Sequence, residues 1–140
     1  MRFLALLLLA CTCSAVLIAG DFADISVTDL TKAIADKTVT LIDVNGSESW
    51  KAGHIPGAID LAGVGAGLAA QLPADKAALV VAYCGGPACG AWKRGAEAAA
   101  ALGYTNVKHF KGGIRGWTAS NAKLETVAAK GCSSCDSCGK

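Results

Sequence analysis

The sequence predicts a single α/β domain built on a mainly parallel central sheet flanked by helices. Three observations carry that prediction. Short runs rich in β-branched residues alternate with segments of helical periodicity, and the connections between them are short. The run 78–83 (ALVVAY) is apolar throughout, as a strand buried on both faces requires. Glycines and prolines punctuate the intervals at 53–57, at Pro73 and at 85–87.

Each element follows from its residues. Ser26-Val27-Thr28-Asp29 has the spacing of a capping box, and Val27, Leu30 and Ile34 then share one face of a helix that ends near Lys37. The β-branched stretch 38–44 (TVTLIDV) reads as a strand, and Ser47–Ala52 as a short helical turn. Gly53-His54-Ile55-Pro56-Gly57 forces a loop before a short strand over 58–61. A helix is expected over 66–72, stopped by Pro73, and the buried strand over 78–83 follows. Next comes a tight loop, Cys84-Gly85-Gly86-Pro87-Ala88-Cys89, and a helix over 90–102 with Gly103 as its C′ residue. A strand over 107–110 and a last short helix, opened by Gly112-Gly113 and running through Trp117, complete the domain.

Both ends of the 140-residue chain read differently from this body. Residues 1–20 hold one charge, Arg2, then the apolar run 3–10 and small residues up to Ala19-Gly20. That pattern predicts a secretory signal cleaved near Asp21, leaving a domain over 21–127. The alternatives are a single-span anchor over 3–20 and lipid attachment at Cys11. All three export the domain, to the periplasm or beyond, and any membrane attachment runs through this segment alone. Residues 128–140 are mostly Gly, Ser, Lys and Cys without periodicity, and read as a flexible tail.

With Arg2 removed, the formal charge of +2 falls to +1. A near-neutral body without a basic block has no footprint for nucleic acid. Beyond Gly20 no apolar run approaches the ~18 residues of a spanning helix. Seven cysteines are present, and five remain after residue 20. An odd, clustered set in an exported chain points to a reactive thiol more than to a disulfide framework.

Cys84 stands where such a thiol belongs. A buried strand delivers it to the C-terminal edge of the sheet, where ligands bind in open α/β folds. The glycines that follow let the backbone curl with its N–H groups inward, and a helix begins directly afterwards. Inward amides and a helix N-terminus favour an anion, so the expectation is a thiol pushed towards thiolate.

Three separated blocks then resemble the rhodanese-like family of sulfurtransferases, over residues 25–121. They are LIDVNGSESWKAGHIPGAIDL at 41–61, VVAYCGGPACGAW at 80–92 and LGYTNVKHFKGGIRGW at 102–117. The resemblance implies a sulfur carried as a persulfide on Cys84. The remaining loop residues Gly85, Gly86, Pro87, Ala88 and Cys89, with Gly90, would bind the substrate through backbone amides. It implies no cofactor, a small donor such as thiosulfate or a persulfide, a thiol or cyanide acceptor, and a monomer. Gly53, His54, Pro56, Gly57 and Asp43 match signature positions whose role in the family is mostly structural.

Two residues depart from the pattern: Asn45 and Cys89 each stand where the family usually has Arg. A guanidinium is the natural clamp for an oxyanion, so the second departure predicts poorer use of thiosulfate than of persulfides. Lys93 and Arg94 lie one turn into the following helix and read as ordinary solvated charges. Phosphatases of this fold carry a loop one residue longer that also ends in Arg, and Cys89-Gly90 argues against that chemistry. Cys89 is instead a candidate resolving thiol, within reach of Cys84 in the same loop.

Other features read as structural. Gly63-Val64-Gly65-Ala66-Gly67 superficially resembles a dinucleotide fingerprint, but the next strand ends without an acidic residue. His54 and His109 are too far apart in sequence to suggest a metal pair, and Trp50, Trp92 and Trp117 suit the core or a pocket rim. In the tail, Cys132, Cys135 and Cys138 have the spacing to share a soft metal ion, though three ligands are one short of a closed zinc site. A disulfide with one spare thiol, or a mobile sulfur relay to Cys84, fits the same spacing. Two competing functions remain: a thiol–disulfide redox protein using Cys84 and Cys89, and a non-catalytic binding module with a metal-binding tail.

Overall fold

The computed structural model describes residues 21–127. The expected signal over 1–20 and the tail cysteines Cys132, Cys135 and Cys138 lie outside the described residues.

The elements run α1 (Val27–Ala35), β1 (Val39–Asp43), α2 (Ser47–Ala52), β2 (Ala58–Asp60), α3 (Leu61–Val64), a 3-10 turn (Gly65–Gly67), α4 (Leu68–Gln71), β3 (Leu79–Tyr83), α5 (Trp92–Ala101), β4 (Val107–His109) and α6 (Gly113–Ala119). Four strands form one sheet in the order β2-β1-β3-β4, every pair parallel. β1 and β3 occupy the centre, registered from Val39 opposite Leu79 to Asp43 opposite Tyr83.

Because side chains alternate across a strand, the central pair feeds two cores. Ile42, Val80, Ala82 and Cys84 face α4 and α5, where Leu68, Leu72, Ala96 and Ala99 cover them. Leu41, Val81 and Tyr83 face the opposite way, onto Leu30 of α1 and Trp117 of α6. Leu30 is fully buried, a burial that stabilises the fold by about 2 kcal/mol. α5 packs close enough on the sheet that a Cβ at Gly95 would lie 3.0 Å from both Ile42 and Val44.

Ser26 caps α1, its Oγ accepting from the Asp29 N–H at 3.1 Å, while the Asp29 carboxylate accepts from the Ser26 hydroxyl at 2.7 Å in place of the backbone N–H of a full capping box. Elsewhere several boundaries move by a residue or more, three of them for a visible local reason. The helix expected over 66–72 is broken into α3, the 3-10 turn and α4, because Gly63, Gly65 and Gly67 cannot sustain one helix. The strand expected over 58–61 stops at Asp60, whose carboxylate turns to cap α3 through the Ala62 N–H at 3.0 Å. The helix expected from Gly90 begins at Trp92, since the loop takes Gly90 and Ala91 for its closing turn.

Candidate active site

β3 ends at Tyr83 and places Cys84 at the C-terminal edge of the sheet, 1% exposed. The loop that follows is shaped from outside by α6. The Cys84 carbonyl accepts from the Ile114 N–H at 2.9 Å, and the Gly85 carbonyl from the Arg115 N–H at 3.3 Å. In a trans peptide the C=O and N–H point in opposite directions. Drawing both carbonyls outward therefore turns the Gly85 and Gly86 N–H groups into the loop. α6 comes this close only because residue 113 is glycine. Its φ is +57°, and a Cβ there would sit 2.3 Å from the Cys84 carbonyl oxygen and 2.6 Å from the Gly86 nitrogen.

Four amides converge on the two sulfurs. Those of Gly86 and Trp92 favour the anion at Cys84, while those of Ala91 and Gly85 favour it at Cys89. Of the loop amides expected to line the site, Pro87 has no N–H, and that of Cys89 is spent on the Gly86 carbonyl at 3.0 Å. Ala91, the N-cap residue of α5, and Trp92, its first residue, supply amides instead.

The expectation of a thiolate at Cys84 is corrected by these surroundings. Burial pushes the Cys84 thiol up, the hydrogen bond with Cys89 adds to the rise, and the two amides only partly offset it. The Cys84 Sγ donates to the Cys89 carbonyl oxygen at 3.1 Å. Cys89, half-buried, moves the other way: the hydrogen bond from Cys84 draws it down, and the Ala91 amide assists. Of the two thiols, Cys89 therefore ionises first and Cys84 keeps its proton longer.

Cys89 opens into a cavity of about 240 Å³ lined by Gly85, Gly86, Ala88, Cys89 and Arg115, while Cys84 lies beneath it. A larger cleft, about 580 Å³, meets the far side of the loop at Pro87 and Trp92. There the His109 ring stacks on Trp92 with centroids 3.7 Å apart, and its Nδ1 lies 2.9 Å from the Asp24 carboxylate. Burial draws His109 below the usual histidine range, against the pull of Asp24. Lys93 and Arg94 are exposed, as expected, although the Arg94 charge lowers Cys89 slightly.

The other signature residues form a joint away from the sulfurs. His54 stacks on Trp50 at 4.0 Å and meets the Trp50 carbonyl through Nδ1 at 2.7 Å. The Ile55 N–H donates to the Tyr83 hydroxyl at 3.0 Å, and burial beside Asp43 pushes that phenol far above its usual range. Asp43 accepts from the Asn45 N–H at 2.7 Å. Asn45 itself abuts the loop, its Oδ1 3.7 Å from where a Gly85 Cβ would be.

Three contributors were missed at the sequence level: Gly113, Arg115 and the backbone of Trp92. The Gly112-Gly113 doublet was the only local signal of the first, and nothing local announced the other two. Among the described residues, no cluster of three His, Cys, Asp or Glu side chains could hold a metal ion.

The sequence of residues 26–120, more than half the chain, matches the rhodanese-like domain. The chain belongs to that family. Solved structures repeat the rhodanese-like fold. The BH2092 protein from Bacillus halodurans is 28% identical, with a TM-score of 0.57 over 76% of this chain and 77% of that one. The human single-domain sulfurtransferase TSTD1 is 25% identical, with a TM-score of 0.53 over 69% and 95%. The polysulfide-sulfur transferase homodimer from Wolinella succinogenes shares the fold at 18% identity, with a TM-score of 0.59 over 79% and 82%. No curated protein matches the chain. In this rhodanese-like domain the six-residue loop is the segment where strand, sheet edge and α6 meet.

Proposed function

We propose that the domain is an exported, monomeric sulfurtransferase that carries sulfane sulfur as a persulfide on Cys84. The observation that carries this reading is the pair of peptide N–H groups, Gly85 and Gly86, turned inward by α6 beside two interacting thiols. Membership of the rhodanese-like family supports it, as does the likeness to TSTD1, itself described as a sulfurtransferase. The Cys84 sulfur attacks the outer sulfur of a donor, its proton passing to the Cys89 thiolate. The donor's S–S bond breaks and its remainder leaves, as sulfite when the donor is thiosulfate. A thiol or cyanide then attacks the outer sulfur of the persulfide and returns Cys84 as thiolate. The step calls for no cofactor.

The contact between the thiols favours one further reading, in which Cys89 is a resolving thiol. Its thiolate attacks the inner sulfur of the Cys84 persulfide, sulfide leaves, and a Cys84–Cys89 disulfide forms that an external dithiol must reduce. Incubation with thiosulfate or glutathione persulfide, followed by intact-mass and peptide mapping, tests both. One added sulfur on the Cys84 peptide, lost in Cys84→Ser along with transfer to cyanide, is the expected result. Undiminished turnover by Cys84→Ser overturns the carrier assignment. A linked Cys84–Cys89 peptide, with sulfide released, marks the resolving route.

A further inference from the structure

The cavity over the thiols is lined by Cys89, the more readily ionised of the two, and by one cationic side chain, Arg115. Arg115 meets the loop through its backbone and its stem. Its backbone N–H bonds the Gly85 carbonyl at 3.3 Å, and its Cδ stands 3.4 Å from where a Gly86 Cβ would lie, so the aliphatic stem runs along the loop. The side chain is otherwise exposed, and among the described residues it forms no ion pair with a carboxylate. No acidic side chain lines the cavity.

This arrangement poses a specific problem of charge. A donor that brings a sulfonate to the cavity is repelled whenever Cys89 is ionised, because like charges at that range repel. A guanidinium on the same wall offsets the repulsion and presents a planar fork that fits two sulfonate oxygens. We propose that Arg115 is the specificity residue of this site, selecting sulfur donors of the thiosulfate and thiosulfonate class. The inference rests on the sulfur-transfer reading above for its substrate, and on the geometry of α6 for its site. It also reverses the expectation that Cys89 in place of a loop arginine disfavours thiosulfate, because the cation reaches the cavity from a different element.

The test uses the full chain and two readouts. The first needs no sulfur transfer: alkylation of Cys89 by anionic iodoacetate against neutral iodoacetamide, followed by peptide mapping at one pH. Arg115→Gln should lower the iodoacetate-to-iodoacetamide rate ratio about fivefold, the loss of one nearby screened charge. The second is steady-state transfer from thiosulfate to cyanide, where Arg115→Gln should raise KM roughly tenfold and leave kcat within about twofold. Arg115→Lys should recover part of both effects, since a point charge replaces the fork. An unchanged alkylation ratio together with an unchanged KM overturns the proposal and leaves the sulfur-transfer reading standing. A lowered ratio in a protein whose wild type transfers no sulfur upholds the anion site and rejects sulfur transfer.

Discussion

Of the two thiols in the loop, Cys84 is sealed beneath the cavity while Cys89 opens into it. That difference in hydration, together with the hydrogen bond between them, makes Cys89 the first of the two to ionise. The sequence pointed to both cysteines, to Cys84 by its place between a buried strand and a glycine turn and to Cys89 by its nearness in the same loop. Their order of ionisation was not legible there. It depends on burial and on the hydrogen bond between the two side chains, neither of which a local pattern encodes. A pH prediction follows with its sign fixed by the largest cause. The hydrogen bond from Cys84 is what chiefly lowers Cys89, so in the wild type Cys89 should react with iodoacetamide with a midpoint below the ordinary cysteine range. Cys84→Ala deletes that donor, and the midpoint should rise. A midpoint that stays put in Cys84→Ala would assign the lowering to the Ala91 and Gly85 amides alone.

α6 is a short element with two duties, one on each side. Trp117 inserts into the core against Phe110, ring centroids 6.5 Å apart, and its indole N–H donates to the Lys123 carbonyl at 2.9 Å. The first turn meanwhile holds the Cys84 and Gly85 carbonyls. Gly113→Ala tests that coupling. The new methyl would stand 2.3 Å from the Cys84 oxygen at a φ of +57°, so either α6 or the loop must move. The expected outcome is a loss of about 1–3 kcal/mol in stability and a far larger fractional loss of sulfur transfer. A variant that is destabilised yet fully active would show that the loop holds its shape without α6. The strands and α2 were readable because β-branched runs and the Gly-Pro loop bound them tightly. The broken helix at 61–71 was not, since alternating glycines look alike in a loop and in short turns. Arg115 and Gly113 escaped for a different reason: their importance lies in contacts with a loop far away in sequence.

At the scale of the whole molecule, the sheet is covered on both faces and its last described segment is tied across the α2–β2 corner. Glu125 exchanges backbone hydrogen bonds with His54 at 2.9 and 2.8 Å, its carboxylate accepts from the Gly57 N–H at 2.9 Å, and the Val127 N–H donates to the Lys51 carbonyl at 3.1 Å. These ties end at Val127, so a chain truncated after it keeps all of them. Its thermal midpoint and its transfer from thiosulfate to cyanide should match the full chain, while its free-thiol count falls. Lost transfer to cyanide would make the removed cysteines part of the active site. The dependence of the loop on α6 also has a consequence in time. A ribosome delivers the thiols of Cys84 and Cys89 before it delivers Gly113, Ile114 and Arg115. Until those residues dock, the bonds that draw the Cys84 and Gly85 carbonyls outward are missing. The emerging chain thus exposes both cysteines before the residues that shape their loop have been made.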